Sequence, residues 1–231
     1  MKHVTVIQHT QSEWLGLLED HLEGRGIRFG YVRPFAAGVA LPKVDVIGDG
    51  LIILGGGIWG SVSHPRLPTL EDEIRLARAC LMLDIPVIGF DLGAQILSIA
   101  ADGGADPTEL SCRVTTALRT SDGVLDGFLP PAMPLVEYGR DRSVPPGYAK
   151  VLARDENDQV LIFQIGDQSF GFSGNPGTKL AMIEDLVMEF EECPADIQVR
   201  LGKIRDARKA MEDALVPLMT GLMRATRWME S

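Results

Sequence analysis

The segment Gly89-Phe90-Asp91-Leu92-Gly93-Ala94-Gln95 constrains the fold more than any other part of the chain. Before it, Ile85-Pro86-Val87-Ile88 has the continuous apolar pattern of a strand buried on both faces. After it, Ile96-Leu97-Ser98-Ile99-Ala100 reads as an apolar helix. A strand, a sharp turn flanked by glycines and a helix form a nucleophile elbow. Such a turn lifts one side chain above a sheet, beside the free N–H groups of a helix start. Here that side chain is the carboxylate of Asp91, where a thiol or hydroxyl is the usual nucleophile.

A strand feeding a helix in this way belongs to an α/β fold, and the rest of the chain agrees. Val4–Gln8 alternates and is rich in β-branched residues, so it reads as a first strand. Ser12 is placed to cap a helix carrying Trp14, Leu17, Leu18, His21 and Leu22, ended by Gly24 and Gly26. Arg28–Arg33 reads as a second strand and 34–48 as a loop. Leu51–Leu54 is an apolar run typical of a buried parallel strand. Thr69 is expected to cap a helix with Ile74, Ala77 and Leu81 inward. Beyond 112 the strands shorten: Val114–Leu118, Pro134–Glu137, Lys150–Ala153, Val160–Gln164 and Ser169–Phe172. These fit mixed or antiparallel additions to a parallel sheet. Helices are expected at 178–192 and 196–228, the second broken near Pro217. The expected fold is one α/β domain with a central, mostly parallel sheet and helices on both faces.

Composition limits the function classes. A chain of 231 residues is near the size one core supports. A net charge of −10 argues against a nucleic-acid footprint, which needs a basic face. No apolar run reaches the ~18 residues of a membrane span, and no signal peptide is read at the N-terminus, so a cytoplasmic protein is expected. The three cysteines, Cys80, Cys112 and Cys193, do not suggest a disulfide scaffold. No cofactor and no metal site is assigned.

Several segments, taken in order, resemble the class I glutamine amidotransferase domain, of the GMP synthase and stand-alone type. Val6-Ile7-Gln8-His9 with Glu13 and Gly16 resembles its opening strand and helix. Asp49-Gly50-Leu51-Ile52-Ile53-Leu54-Gly55-Gly56-Gly57 resembles the strand and glycine loop that carry part of the oxyanion hole. Leu83–Gln95 resembles the "giPvlG" strand and the Gly-x-Cys-x-Gly-x-Gln elbow. Thr108-Glu109-Leu110 resembles the "EIG" segment. Leu135-Val136-Glu137-Tyr138-Gly139-Arg140 with Pro145-Pro146-Gly147 resembles "fHgD…lPpGa", and Gly171–Gly177 resembles "GfQfHPE". The resemblance implies a flavodoxin-like domain over residues 1–195, with a helical segment 196–231 packed on it.

The departures fall on the chemistry. The positions of the family's catalytic Cys, His and Glu hold Asp91, Asn175 and Gly177. The His and Asp of "HgD" are Tyr138 and Arg140. Asn175 cannot take a proton near neutral pH and Gly177 has no side chain, so glutaminase chemistry is expected to be lost. The resemblance implies a binding pocket built from Gly55, Gly56, Gly57, Leu92, Gln95, Glu109, Tyr138, Arg140 and His9. Plainer readings stand beside these: the glycine triplet as a tight turn, His9 as a loop residue, Asp91 as an elbow cap. As a cap, Asp91 would accept from the N–H of Leu92 or Gly93 and from the glycine loop, filling the oxyanion hole with a permanent anion. Arg140 is expected to pair with Asp91 or with an anionic ligand. Cys112 is a weak substitute nucleophile with no base placed beside it.

The expected role is a pseudoenzyme that binds a small molecule in the relict glutamine pocket, or else an accessory or regulatory subunit. The resemblance implies a synthase or ligase partner, and a homodimer is left open. The rival reading makes Asp91 the nucleophile of a hydrolase or transferase, with a base such as His9.

Overall fold

The computed structural model describes residues 1–229. Its elements in chain order are β1 (His3–Ile7), α1 (Leu17–Glu23), β2 (Arg28–Val32), β3 (Gly50–Ile53), α2 (Leu70–Met82), β4 (Val87–Phe90) and α3 (Leu92–Ala100). There follow β5 (Gly104–Asp106), β6 (Ser111–Arg119), β7 (Ala132–Gly139), β8 (Arg142–Val144), β9 (Lys150–Arg154), β10 (Val160–Ile165), β11 (Ser169–Phe172), α4 (Leu180–Glu189) and α5 (Ile197–Ala225). Nine strands form one sheet in the order β2-β1-β3-β4-β11-β10-β9-β6-β7. The first five are parallel to one another, and the rest are added antiparallel. This is the α/β arrangement the apolar runs imply. The short strands β5 and β8 pair separately and carry no sequence signal of their own.

Period-two alternation sorts the core into layers. Val4, Val6, Ile52, Leu54, Ile88 and Phe90 point to one face, where α1 and α5 cover them with Leu18, Leu22, Leu215, Leu218 and Leu222. Ile7, Leu51, Ile53 and Val87 point to the other, against Ile74 and Ala77 of α2 and Ile96 and Leu97 of α3. A third cluster seats α4 and α5 on β6 and β7 through Ile183, Leu186, Ile204, Met211, Val136 and Tyr138.

Helix expectations change at Ser12 and at Pro217. Ser12 caps nothing: α1 begins five residues later, after Gly16 at φ +64°. The N–H and hydroxyl of Ser12 instead donate to Glu189 on α4, as does the N–H of Gln11. Helix α5 runs unbroken through Pro217. An interior proline costs a helix ~3 kcal/mol, but Leu215, Leu218 and Leu222 around it are buried. Each fully buried leucine contributes ~2 kcal/mol, so packing outweighs the lost bond. Past the helix, Trp228 lies on Gly50 and its indole N–H donates to the Asp49 carbonyl at 2.9 Å. The end of the helical segment 196–231, Glu230 and Ser231, lies outside the described residues.

Candidate functional site

The carboxyl ends of four adjacent parallel strands carry His9 after β1, Gly55–Gly57 after β3, Asp91 after β4 and Asn175 after β11. In an open α/β sheet this edge is where ligands bind. Asp91 joins β4 directly to α3 at φ +48°, ψ −111°, a conformation that non-glycine residues rarely hold. The turn is tight. A Cβ on Gly93 would sit 2.1 Å from the Ile53 carbonyl oxygen, so only glycine lets α3 approach β3 this closely.

The Asp91 carboxyl does not cap α3, and it does not fill the glycine loop. Burial holds it well above the usual carboxylate range, reinforced by the Glu13 and Glu137 carboxylates. The Tyr138 backbone N–H and the Arg113 guanidinium oppose this only in part. Asp91 is therefore held toward the neutral acid rather than the permanent anion expected from the sequence. A protonated carboxyl is a poor nucleophile.

The glycine loop is occupied by Glu13. The Gly57 N–H donates to Glu13 Oε2 at 2.5 Å, and Glu13 Oε1 lies against Gly55, 2.1 Å from where a Cβ would be. Burial pushes the Glu13 carboxyl up to about 7, while the Gly57 N–H and His9 pull it down. Gly56 packs on the Leu92 side chain.

His9 is fully committed. Its Nδ1 lies 2.8 Å from the Gly55 carbonyl oxygen and its Nε2 lies 2.8 Å from Glu73 Oε2. A carbonyl only accepts, so Nδ1 carries a proton. Burial lowers the imidazole pKa, but Glu73, the Gly55 carbonyl and Glu13 together outweigh it and the net direction is upward. The pair is held toward an imidazolium facing a carboxylate, with Glu73 also accepting from Thr69 Oγ1 at 2.6 Å. The hydroxyl expected to cap α2 is thus bonded to Glu73. Nothing in the sequence singled out Glu73, which reads as an ordinary acidic residue in the first turn of a helix.

Asn175 and Gly177 form a local turn. Asn175 Oδ1 accepts the Gly177 N–H at 2.8 Å, and the Asn175 backbone pairs with Val136. The Gly177 carbonyl accepts the Leu17 N–H at 2.8 Å, fixing the start of α1. A Cβ on Gly177 would lie 2.8 Å from Leu18 Cγ. A glutamate at this position would have to displace α1.

A cleft of about 30 Å³ opens beside Asp91, bounded by Gln95, Arg113, Glu137, Arg140 and Asp141. That is room for about two waters. Its walls are tied together. Gln95 donates to the Arg140 carbonyl at 2.9 Å and accepts from Ser61 Oγ at 2.5 Å. Asp141 Oδ2 accepts the N–H groups of Ser61, Val62 and Ser63 at 2.8–3.0 Å. Arg140 donates to the His64 carbonyl and to Glu192 Oε1. The expected Arg140–Asp91 pair is therefore replaced by Arg140–Glu192, and Arg113 is the cation near Asp91, bound to Glu137 at 2.7 Å. Glu109 is exposed, and its neighbour Thr108 lines the cleft instead. Tyr138 is buried in the third core cluster, its hydroxyl without a partner among the described residues. Glu137 Oε1, Arg140 Nε, Arg142 Nε and Ser143 Oγ are likewise buried and unpartnered among those residues. Burial pushes the Cys112 thiol up to about 12, which makes it unreactive.

Among the described residues, no group of three or more His, Cys, Asp or Glu is placed to hold a metal, and no helix is long and apolar enough to cross a membrane. No family model matches the chain. The chain is 30% identical over 115 residues to a subunit of the glutamine-hydrolysing GMP synthase of Methanothrix thermoacetophila, a match covering 49% of this chain. That match spans 58% of the relative's own length. Among solved structures, a glutamine amidotransferase from Methylobacillus flagellatus superposes with a TM-score of 0.79 at 22% identity, covering 97% of this chain and 95% of that one. A glutamine amidotransferase from Thermotoga maritima gives 0.80 at 20% identity, covering 97% and 98%. The chain has the single-domain α/β fold seen in class I glutamine amidotransferases, and its similarity to the GMP synthase relative is in line with that fold.

Proposed function

We propose that this glutamine amidotransferase-like protein does not hydrolyse glutamine and serves as an accessory or regulatory binding subunit. The observation that carries the reading is the state of the strand–helix junction: a buried Asp91 held toward its neutral form. The other two positions support it, since Asn175 is engaged in a local turn and Gly177 is packed against α1. Glu13 occupies a glycine-loop N–H that would otherwise meet a developing oxyanion. A cleft of about 30 Å³ is too small for a free amino acid, and two of its walls, Asp141 and Arg140, are tied to the 61–64 segment.

Hydrolysis through an Asp91 ester would need a free base, and both ring nitrogens of His9 are engaged. The accessory role rests on the relative's designation as one subunit of a glutamine-hydrolysing GMP synthase, which makes a synthase or ligase the expected partner. Two measurements test the proposal. Calorimetric titration with glutamine is expected to give no heat of binding, and saturable binding would refute the closed cleft. Untagged purification is expected to bring down a stoichiometric partner, and recovery of free protein alone would count against the accessory role.

A further inference from the structure

A groove of about 450 Å³ lies on the far side of the Gly177 turn, between the start of α1, the 178–181 segment and α5. Its volume is within the range of small-molecule sites. The floor is apolar: Leu17, Leu180, Ala181, Ile204 and Met211. The rim is mostly cationic, with Lys179, Arg205 and Arg208 against one carboxylate, Glu212.

The charges are unevenly balanced. Arg208 is paired with Glu212 at 2.8 Å. Among the described residues, neither Lys179 nor Arg205 has an ion-pair partner. Lys179 instead holds its ammonium 4.8 Å over the Trp14 ring. In a chain of net charge −10, residues 200–209 carry Arg200, Lys203, Arg205, Arg208 and Lys209 against Asp206 alone. Solvated cations on a helix face need no ligand. Here two unpaired cations stand at the mouth of an apolar groove, which is the pattern that holds an amphiphile with an anionic head.

We propose that this groove binds a small amphiphilic anion, an aliphatic chain bearing a carboxylate or phosphate, with the chain on Leu180, Ile204 and Met211 and the head between Lys179 and Arg205. The site is separate from the Asp91 cleft and does not depend on the reading of that cleft.

The test uses sodium decanoate below its micelle concentration, titrated into the full chain by calorimetry. One-to-one saturation is expected. Lys179→Glu with Arg205→Glu should weaken it by at least about tenfold. Ala181→Phe, which fills the groove and leaves the charges, should weaken it as well, and Asp91→Asn should leave it unchanged. Decyl phosphate should replace decanoate, and decyltrimethylammonium should not. Equal affinity in both groove variants would overturn the proposal. So would sedimentation with anionic phosphatidylglycerol vesicles without binding of monomeric decanoate, or saturation only by an acidic amphipathic peptide.

Discussion

Glu13→Gln should make the protein more stable at alkaline pH than the native chain, by an amount the structure sets. Glutamine keeps an oxygen for the Gly57 N–H and removes the titrating group. The native Glu13 carboxyl is raised from 4.5 to about 7 by burial. The unfolded chain therefore releases this proton at lower pH than the folded chain. Between those values the unfolded state binds fewer protons, so stability falls as pH rises. The contribution is intact below about 4.5 and lost as pH climbs through about 7. Over this window of about 2.5 pKa units, at 1.36 kcal/mol per unit, the native chain loses about 3 kcal/mol that the variant keeps. His9 and Asp91 are raised too and act with the same sign; the Glu13 carboxylate is one of the charges that raises each, so its removal eases both shifts and adds to the difference in the same direction. Urea unfolding from pH 4 to pH 8 reads the difference directly. The two stability curves should lie together near pH 4 and diverge by about 3 kcal/mol at pH 8. Parallel curves would refute the placement of Glu13 in the glycine loop as a buried carboxyl.

Three further outcomes follow from the packing and charges. Gly93→Ala drives a methyl to within 2.1 Å of the Ile53 carbonyl oxygen and should cost about 1–3 kcal/mol or more, read as a lowered urea midpoint; an unchanged midpoint would contradict the close approach of α3 to β3. His9→Leu or Glu73→Leu alone should each cost about 3–5 kcal/mol by stranding a buried charge, while the double substitution should cost clearly less than the sum; additive losses would refute the ion pair. At pH 8, iodoacetamide should label Cys193 alone, because thiols pushed up to about 12 at Cys80 and Cys112 are thiolate in only about one molecule in ten thousand; rapid labelling of Cys112 would contradict its burial.

The parallel half of the sheet was legible because buried parallel strands must be apolar along their whole length. Leu51–Leu54 and Ile85–Ile88 therefore stand out, and the placement of Asp91 between strand and helix follows. The start of α1 was not legible. Gln11 and Ser12 are held by Glu189, about 180 residues away in sequence, and no local pattern announces such a bond. The same limit hid Glu73, an acidic residue in a helix first turn whose partner, His9, follows a different strand. Arg140 carried the right charge for Asp91, but the competing Glu192 and the His64 carbonyl lie on segments that only the fold brings near. Glu13 belonged to a recognised opening motif, yet its insertion into the glycine loop depends on how β1 and β3 pair.

Ammonia release from glutamine by the purified protein decides whether the Asp91 junction is catalytically silent. Asp91→Cys should be assayed beside the native chain. No turnover is expected from the native protein. None is expected from the variant either, because Asn175 supplies no base and Glu13 still holds the Gly57 N–H. Glutamine hydrolysis by the native chain that disappears in Asp91→Asn would contradict the account and restore Asp91 as a working nucleophile.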